Sequence, residues 1–290
     1  MANLAVTVVV GAFGSCMLGV MRYGEECGPL AIAHRGGLAL GPENTLTTFA
    51  RTTALGVRYL ETDVRTTSDG ALVCFHDATL ERVTGEPGSV AGHTLSSLRR
   101  LRVGGNEQVP TLAEALAEFP DAFFAIDLKD EAAGPALVAL LRANPAWASR
   151  ICIAGAWSSR LLRVQSQVPD VTTALGWRAL TALIAAPYSR TKSSAKVASG
   201  TFAHVPMRLG RVPVYAARVV RRAHALDVRV VVWTVNDQPT MHDLLDAGVD
   251  AIITDHPDLL RDVLISREQW PRHRTGDRPT RAHELDTATA

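Results

Sequence analysis

The stretch YLETDVRTTSDGALVCFH, from Tyr59 to His76, decides how the whole chain is interpreted. Two apolar runs flank Asp69-Gly70 in this stretch, and an Asp-Gly pair between two such runs is a strong hairpin signal. Parallel neighbours would need a connection of about a dozen residues or more, so these two runs cannot pair in parallel. We therefore predict a strand, Tyr59–Val64, that continues into an antiparallel returning strand, Leu72–Phe75.

Outward from this stretch, the chain alternates between short apolar runs and longer segments with helical spacing, which is typical of repeated βα units. Nine apolar runs follow Pro29, and eight remain when the returning strand is set aside. Eight parallel strands predict an α/β fold, a TIM (β/α)8 barrel, with a small insertion after the second barrel strand. The nine runs are Leu30–His34, Tyr59–Val64, Leu72–Phe75, Phe123–Asp127, Ile151–Ala154, Val171–Leu175, Thr201–Val205, Arg229–Thr234 and Asp250–Thr254.

Segments between these runs have apolar residues at helical spacing. One of them opens with Thr111 followed three residues later by Glu114, which is the capping-box pattern of a helix N-terminus. The predicted helices are Thr45–Leu55, Leu112–Glu118, Gly134–Arg142, Ser159–Val168, Tyr215–Leu226 and Thr240–Ala247.

The composition divides the chain into three parts. Residues 1–29 form an apolar N-terminal segment, residues 30–265 the barrel, and residues 266–290 a polar tail that we expect to be disordered. Residues 77–110 are too many and too polar for a barrel loop, which predicts an insertion that covers one end of the barrel. The Ser-, Lys- and Ala-rich stretch 189–200 predicts a mobile loop.

The run Leu4–Met21 contains no charged residue and is just long enough to span a bilayer. No cation precedes it, which disfavours a cleaved signal peptide, and Arg22 follows it, which would place the barrel on the cytoplasmic side. We therefore predict membrane association through residues 4–21, with the barrel at the cytoplasmic face. The alternative is a buried N-terminal extension of a soluble protein.

Charge and cysteine content narrow the function classes. Lys and Arg number 30 against 29 Asp and Glu, for a net charge of +1, and they are scattered. This pattern argues against nucleic acid as a partner and favours a small or locally anionic substrate. The four cysteines form no CxxC pair, which argues against a structural zinc site and a disulfide framework. Composition leaves the oligomeric state open.

Polar side chains interrupt or follow several of the apolar runs. In a TIM barrel the C-terminal ends of the strands build the active site, so these side chains should converge on one mouth although they are distant in sequence. The residues concerned are His34, Arg35, Glu61, Asp63, His76, Asp127 and Lys129.

Glu61 and Asp63 are two residues apart on a strand, so both side chains point to the same face, the barrel interior. Two buried carboxylates repel each other unless positive charge neutralises them. A divalent cation would do so, with Asp127 as a third oxygen ligand, and all-oxygen ligation favours Mg²⁺ or Ca²⁺ over zinc. The alternative is that each acid pairs with Arg or Lys in a salt-bridge network.

His34 and His76 suit general acid and base chemistry, because a histidine can carry either protonation state near neutral pH. A two-residue turn at Asp69-Gly70 would place His76 directly opposite Asp63. The alternative for each histidine is a structural role.

Arg35 and Lys129 add positive charge beside the predicted cation, which a phosphoryl group needs around its oxygens. The alternative for both is a solvated surface position.

Together, these residues resemble the motifs of the glycerophosphodiester phosphodiesterase family. The matching segments, in order, are Ala33-His34-Arg35-Gly36-Gly37, Pro42-Glu43-Asn44-Thr45, Glu61-Thr62-Asp63-Val64, Phe75-His76-Asp77, Val232-Trp233-Thr234-Val235-Asn236 and Ile252-Ile253-Thr254-Asp255, within about Leu30–Leu260. The resemblance implies a TIM barrel with a small insertion after His76. It also implies a divalent cation and a small-molecule glycerophosphodiester substrate, which is cleaved to glycerol 3-phosphate and an alcohol.

The resemblance also implies roles for individual residues. It makes His34 and His76 the catalytic pair and Glu61 and Asp63 metal ligands, and it assigns Arg35 to the phosphate. We expect Glu43, Asn44 and Trp233 to line the pocket. The third metal-ligand position of the family usually has Glu-x-Lys, whereas this chain has Asp127-Leu128-Lys129, so a shorter carboxylate must reach the ion.

In the implied mechanism, a glycerol hydroxyl attacks phosphorus while one histidine removes its proton and the other protonates the leaving alcohol. A cyclic phosphate would then be opened by water with the roles exchanged. Two other functions remain open: a lysophospholipase D or sphingomyelinase D type activity on lipid phosphodiesters, and a non-catalytic barrel that binds ligands.

Overall fold

The computed structural model describes residues 21–185, 202–209, 212–213 and 216–271. The predictions for the apolar run 4–21 (Met21 apart), the stretch 189–200 and the tail beyond residue 271 therefore lie outside the described residues. Within the described ranges, no helix is both long enough and apolar enough to cross a membrane.

Eight parallel strands form a nearly closed barrel, as the sequence predicts. They are hydrogen-bonded in the order β6-β5-β4-β2-β1-β11-β10-β7, and a parallel bridge between Ala174 and Phe202 links the two ends. Each of the nine predicted apolar runs contributes a strand, and β8 and β9 form a separate antiparallel pair. In chain order, the strands are β1 (Leu30–Ala33), β2 (Tyr59–Thr66), β3 (Leu72–Cys74), β4 (Phe123–Leu128), β5 (Ile151–Ala154), β6 (Thr172–Thr173), β7 (Phe202–Pro206), β8 (Arg208–Leu209), β9 (Val212–Pro213), β10 (Arg229–Trp233) and β11 (Ala251–Thr254).

The six predicted helices are all present, with small differences at their ends. The capping box is formed: Thr111 N donates to Glu114 Oε2 at 2.8 Å, and Glu114 N donates to Thr111 Oγ1 at 3.1 Å. Four helices were not predicted, α2, α3, α7 and α10. The α-helices are α1 (Leu46–Ala54), α2 (Glu81–Thr84), α3 (Leu95–Leu98), α4 (Leu112–Glu118), α5 (Ala133–Ala143), α6 (Ser158–Gln167), α7 (Trp177–Ala185), α8 (Ala216–His224), α9 (Gln238–Asp246) and α10 (Pro257–Ser266).

The hairpin between β2 and β3 is antiparallel, but the predicted register is wrong by one residue. Val64 pairs with Cys74, so Phe75 lies opposite Asp63 and donates its N–H to the Asp63 carbonyl at 2.9 Å. The turn has three residues, 68–70, instead of two, and Gly70 adopts a left-handed φ of 83°. Three-residue hairpins with a left-handed glycine are also common, so an Asp-Gly pair does not fix the turn length.

Residues 77–110 contain α2 and α3 and pack around a small cluster of their own. Val73 and Phe75 belong to it, together with Leu80, Val90 and Leu98. The segment therefore rests on the returning strand β3, beside the C-terminal end of β2. At the other end of the chain, Trp270 packs against the main core, so the first residues of the predicted polar tail are part of the folded barrel.

An aromatic cluster closes the N-terminal end of the barrel. Tyr59, Phe123 and Phe202 are the first residues of β2, β4 and β7, and the ring of Tyr23 meets each of them edge-on, with centroids 5.2, 6.3 and 5.4 Å away. Tyr23 N also donates to the Ser149 carbonyl at 2.8 Å. Chain that precedes the first strand therefore seals this end, and the opposite end carries the strand-end side chains.

Truncating the Tyr23 ring should destabilise the barrel, whereas removing its hydroxyl should not. The Tyr23 hydroxyl is buried with no hydrogen-bond partner among the described residues. We expect Tyr23→Ala to lower the free energy of unfolding by about 3–5 kcal/mol through the cavity it leaves. The matched variant Tyr23→Phe should leave stability unchanged or raise it by about 1 kcal/mol. Urea unfolding followed by circular dichroism measures both, and equal losses would contradict the ring's role.

Candidate active site

A cavity of about 340 Å³ opens at the C-terminal end of the barrel strands. Eight of the ten predicted site residues line it, from strands whose ends the barrel closure brings together. A second cavity of about 420 Å³ lies at the opposite end, where the Asp250 side chain is already bonded to His224 and to the N–H of Val230. The predicted residues at the first cavity are His34, Arg35, Glu61, Asp63, His76, Asp127, Lys129 and Trp233.

One lysine and one arginine side chain place positive charge beside the aspartates on one wall of the cavity. Lys129 Nζ lies 2.9 Å from Asp63 Oδ1 and 2.6 Å from Asp127 Oδ2, so the ammonium group stands between the two acids. Arg35 Nε lies 3.4 Å from Asp63 Oδ2. Burial works to raise the pKa of Asp63, but Lys129 outweighs it and holds that pKa below its usual value.

Glu61 is less well compensated than Asp63. Within the part of the chain that the structure describes, its side chain accepts one hydrogen bond, from the Arg35 N–H to Oε2 at 2.8 Å. Burial and the neighbouring charge of Asp63 raise the pKa of Glu61 to about 8. The Glu61 carboxyl is therefore mostly protonated at neutral pH in this arrangement, and added positive charge would favour its ionised form.

The residues on this wall fit an oxygen-seeking cation by their chemistry. Glu61, Asp63 and Asp127 offer carboxylate oxygens, and Glu61 lacks the positive charge that its ionised form needs. Among the described residues, however, no three His, Cys, Asp or Glu side chains are already arranged around a metal position. The ammonium of Lys129 stands between Asp63 and Asp127, so it would have to withdraw for both acids to bind one ion.

A carboxylate holds the ring of His34. The Nδ1 of His34 lies 2.7 Å from Asp255 Oδ1, and Asn236 Nδ2 donates to Asp255 Oδ2 at 2.6 Å. Burial works to lower the pKa of His34, but the hydrogen bond to Asp255 and the charge of Glu61 outweigh it and raise that pKa. With Nδ1 engaged by Asp255, Nε2 is left for proton transfer.

The ring of His76 is held in the same way. Its Nδ1 lies 2.6 Å from Asp77 Oδ1, and Arg82 Nε donates to Asp77 Oδ2 at 2.5 Å. The hydrogen bond from Arg82 lowers the pKa of Asp77 to about 2, so Asp77 stays ionised. Arg82 also donates to Glu43, which accepts from Arg35 Nη1 at 3.1 Å, so Glu43 joins the insertion to Arg35.

Glu43 and Asn44, expected to line the pocket, lie behind its wall instead. The Asn44 side chain is buried, donates to Asp63 Oδ2 at 3.2 Å and accepts from Thr62 Oγ1 at 2.7 Å. Asn44 also adopts a left-handed φ of 56°, which turns this loop back toward β2. Both residues therefore position other site residues instead of facing a ligand.

Several residues at the site were not predicted to have a role there. Asp255 follows an apolar strand, so the strand-end rule that found His34 could have found it, and Asp77 follows His76 directly. No sequence pattern indicated Arg82, because its contact with Glu43 joins the insertion to a loop that is distant in sequence. His204 lines the cavity from β7, where burial lowers its pKa to about 4 and its Nε2 has no partner among the described residues.

Comparisons with known proteins agree with this geometry. The model of the glycerophosphoryl diester phosphodiesterase family matches residues 34–259. A Mycobacterium tuberculosis protein named "Probable glycerophosphodiester phosphodiesterase 2" is 38% identical over 256 residues, covering 86% of this chain and 95% of that protein. A glycerophosphodiester phosphodiesterase from Caldanaerobacter subterraneus is 29% identical over 245 residues, covering 80% and 96%. A solved structure from Silicibacter pomeroyi, described as a candidate glycerophosphoryl diester phosphodiesterase, matches with a TM-score of 0.69 and 26% identity over 87% of this chain and 97% of that one. The chain therefore belongs to the glycerophosphoryl diester phosphodiesterase family.

Proposed function

We propose that this protein hydrolyses glycerophosphodiesters to glycerol 3-phosphate and an alcohol, by two-histidine acid and base catalysis with a divalent cation. The observation that carries the proposal is the pair of histidines at one cavity, each with Nδ1 held by a carboxylate, beside a wall that carries Arg35 and Lys129. A panel of glycerophosphodiesters assayed with Mg²⁺, Ca²⁺ and Mn²⁺ tests it. Absence of hydrolysis under all of these conditions would refute it.

In the proposed reaction, Arg35 and Lys129 bind the phosphate oxygens and offset their charge. The neighbouring glycerol hydroxyl attacks phosphorus while Nε2 of one histidine takes its proton, and Nε2 of the other protonates the leaving alcohol oxygen. Water then opens the cyclic phosphate with the two roles exchanged. Asp255 and Asp77 keep each ring in the tautomer that the transfer needs.

A divalent cation, Mg²⁺ or Ca²⁺, would be held by Glu61, Asp63 and Asp127. When bound, it would supply positive charge to the phosphoryl oxygens. Support for the cation comes from the buried acid pair, because Glu61 is short of positive charge even with Arg35 and Lys129 nearby. Asp127 is 31% exposed in its side chain, so it has room to turn toward an ion.

A second candidate is hydrolysis of lysophospholipids at the same site. Trp177 and Trp233 line the cavity and are 46% and 39% exposed, so the mouth offers aromatic surface to an acyl chain. Glycerophosphocholine and lysophosphatidylcholine, assayed side by side, separate the two candidates. A higher kcat/KM for the lysolipid would favour the second.

Removing either acid of β2 should remove cation binding. We expect Glu61→Ala and Asp63→Ala to weaken Mg²⁺ or Ca²⁺ binding by more than about 100-fold, since each supplies a charged oxygen that water cannot replace in charge. Isothermal titration calorimetry measures the affinity. The matched control is Glu118→Ala, an exposed acid on α4. Unchanged affinity in both β2 variants would contradict the assignment.

The same titration should depend on pH. The pKa of Glu61 is raised to about 8, so at pH 7 its carboxyl must lose a proton before it binds a cation. We therefore expect release of about one proton per cation at pH 7, and affinity that increases toward about pH 9. Calorimetry in buffers of different ionisation enthalpy counts the protons. A cation affinity that does not change with pH would contradict this prediction.

Loss of either histidine should stop turnover without loss of the cation. We expect His34→Ala and His76→Ala each to lower kcat by about 10²–10⁴-fold, and the double variant to be little worse, because a proton-transfer pair acts as one unit. The pH profile of the native protein should be bell-shaped. His224→Ala, at the opposite end of the barrel, is the control. Near-native turnover in one single variant would make that histidine structural.

We also propose that residues 4–21 anchor the protein, with the barrel at the cytoplasmic face. Support comes from the uncharged run itself and from Arg22, whose Nη2 lies 3.0 Å from Asp170 Oδ1 just before β6, at the end opposite the cavity. An anchor there would leave the mouth open to water. We expect the full chain to sediment with membranes and a variant lacking residues 2–20 to stay in solution with equal kcat/KM. A soluble full chain would contradict the anchor.

A further inference from the structure

His204 carries a buried ring nitrogen that the proposed mechanism does not use. On β7, Phe202 and His204 point into the barrel, while Ala203 and Val205 pack against the surrounding helices. The His204 ring lines the cavity, yet its Nε2 is buried and has no hydrogen-bond partner among the described residues. Because an unpaired buried nitrogen costs free energy, a ligand that pairs with it gains affinity.

The cavity has two walls of different chemistry. The proposed acid, base and phosphate-binding groups all stand on the wall built by β1, β2 and β4 and by His76. The facing wall, from β5, β6 and β7 and from α7 with the residues before it, consists largely of apolar and aromatic side chains such as Leu175, Trp177 and Leu180. A phosphate bound at the charged wall directs the organic part of its diester toward the apolar wall, which His204 lines and where its Nε2 lies buried and unpaired among the described residues.

The protonation state of His204 narrows the class of group it can bind. Burial holds the ring in its neutral form near pH 7, although the charge of Asp127 acts in the opposite direction. A neutral imidazole presents either a donor or an acceptor at Nε2, and a hydroxyl group can complement both. An ammonium or a phosphate would have to lose its hydration at this largely apolar wall, whereas a hydroxyl group carries no charge to desolvate.

We propose that His204 is a specificity-determining residue whose Nε2 hydrogen-bonds a hydroxyl group on the organic part of the substrate. This inference rests on the proposed glycerophosphodiester hydrolysis. The hydroxyl can come from two sources, the glycerol that stays on the phosphate or an alcohol that carries a hydroxyl of its own. Loss of the hydroxyl from the substrate leaves Nε2 unpaired again, so the residue selects against compounds that lack it.

Three substrates and two variants test this inference. Glycerophosphopropanol differs from glycerophosphoglycerol by the hydroxyls of the leaving alcohol. The propyl phosphodiester of propane-1,2-diol, esterified at its primary oxygen, additionally lacks the terminal glycerol hydroxyl but keeps the attacking one. His204→Leu removes the hydrogen bond at similar side-chain size, and His204→Gln keeps a hydrogen-bonding group at similar reach. Circular dichroism and cation titration confirm that each variant is folded.

The three substrates form a series: glycerophosphoglycerol, then glycerophosphopropanol, then the propyl phosphodiester of propane-1,2-diol. For the native protein, kcat/KM should fall by about 10- to 100-fold at the one change of substrate that removes the bound hydroxyl. A fall at the first change shows that the bound hydroxyl belongs to the leaving alcohol, and a fall at the second change shows that it belongs to the glycerol. His204→Leu should abolish that fall, and His204→Gln should restore part of it. The inference is overturned if His204→Leu shows the same fall as the native protein, or if it lowers kcat/KM equally for all three substrates. Absence of hydrolysis by the native protein would refute the proposed function itself.

Discussion

The site depends on one electrostatic constraint, the burial of Glu61 and Asp63 side by side inside the barrel. Strand alternation sends both carboxyl groups inward from β2, and burial disfavours their charged forms. The neighbouring side chains stabilise the two carboxylates to different extents. Lys129 and Arg35 hold Asp63 in its ionised form, whereas the pKa of Glu61 is raised. A site that keeps one buried acid short of positive charge is suited to bind a cation, which is a functional arrangement and not one that maximises stability.

Closure of the barrel brings the other residues of the site next to these two acids. Residues from β1, β2, β4 and β11 meet at one mouth because parallel strands end on the same side. Two carboxylates, Asp255 and Asp77, then fix the two histidine rings, and each is itself fixed by a further donor, Asn236 or Arg82. The aromatic cluster around Tyr23 fills the other end of the barrel and gives these strands a rigid base.

The sequence predicts the barrel and the meeting of its strand-end residues, because apolar runs and strand ends are local features of the chain. It could not predict the hairpin register, since turns of two and three residues use the same Asp-Gly signal, and only contacts decide between them. It also could not show that Glu43 and Asn44 lie behind the cavity wall. Residues in a motif all lie near the site, but the sequence does not tell which of their side chains point into the cavity. Arg82 joins two loops far apart in sequence, and no local pattern encodes such a contact.

The Glu61 charge that would bind a cation also acts on His34. Ionised Glu61 raises the pKa of His34, and protonated His34 lowers the pKa of Glu61, so the two groups favour each other's charged forms. A cation bound at Glu61 would add positive charge near His34 and so lower the pKa of that histidine, toward the range in which a histidine exchanges protons at neutral pH. Asp255 holds the Nδ1 of His34 with one carboxylate oxygen and accepts a hydrogen bond from Asn236 Nδ2 with the other. In the proposed reaction, cation binding and proton transfer by His34 would therefore be linked through one carboxylate, and we expect a change at Glu61 to alter both together.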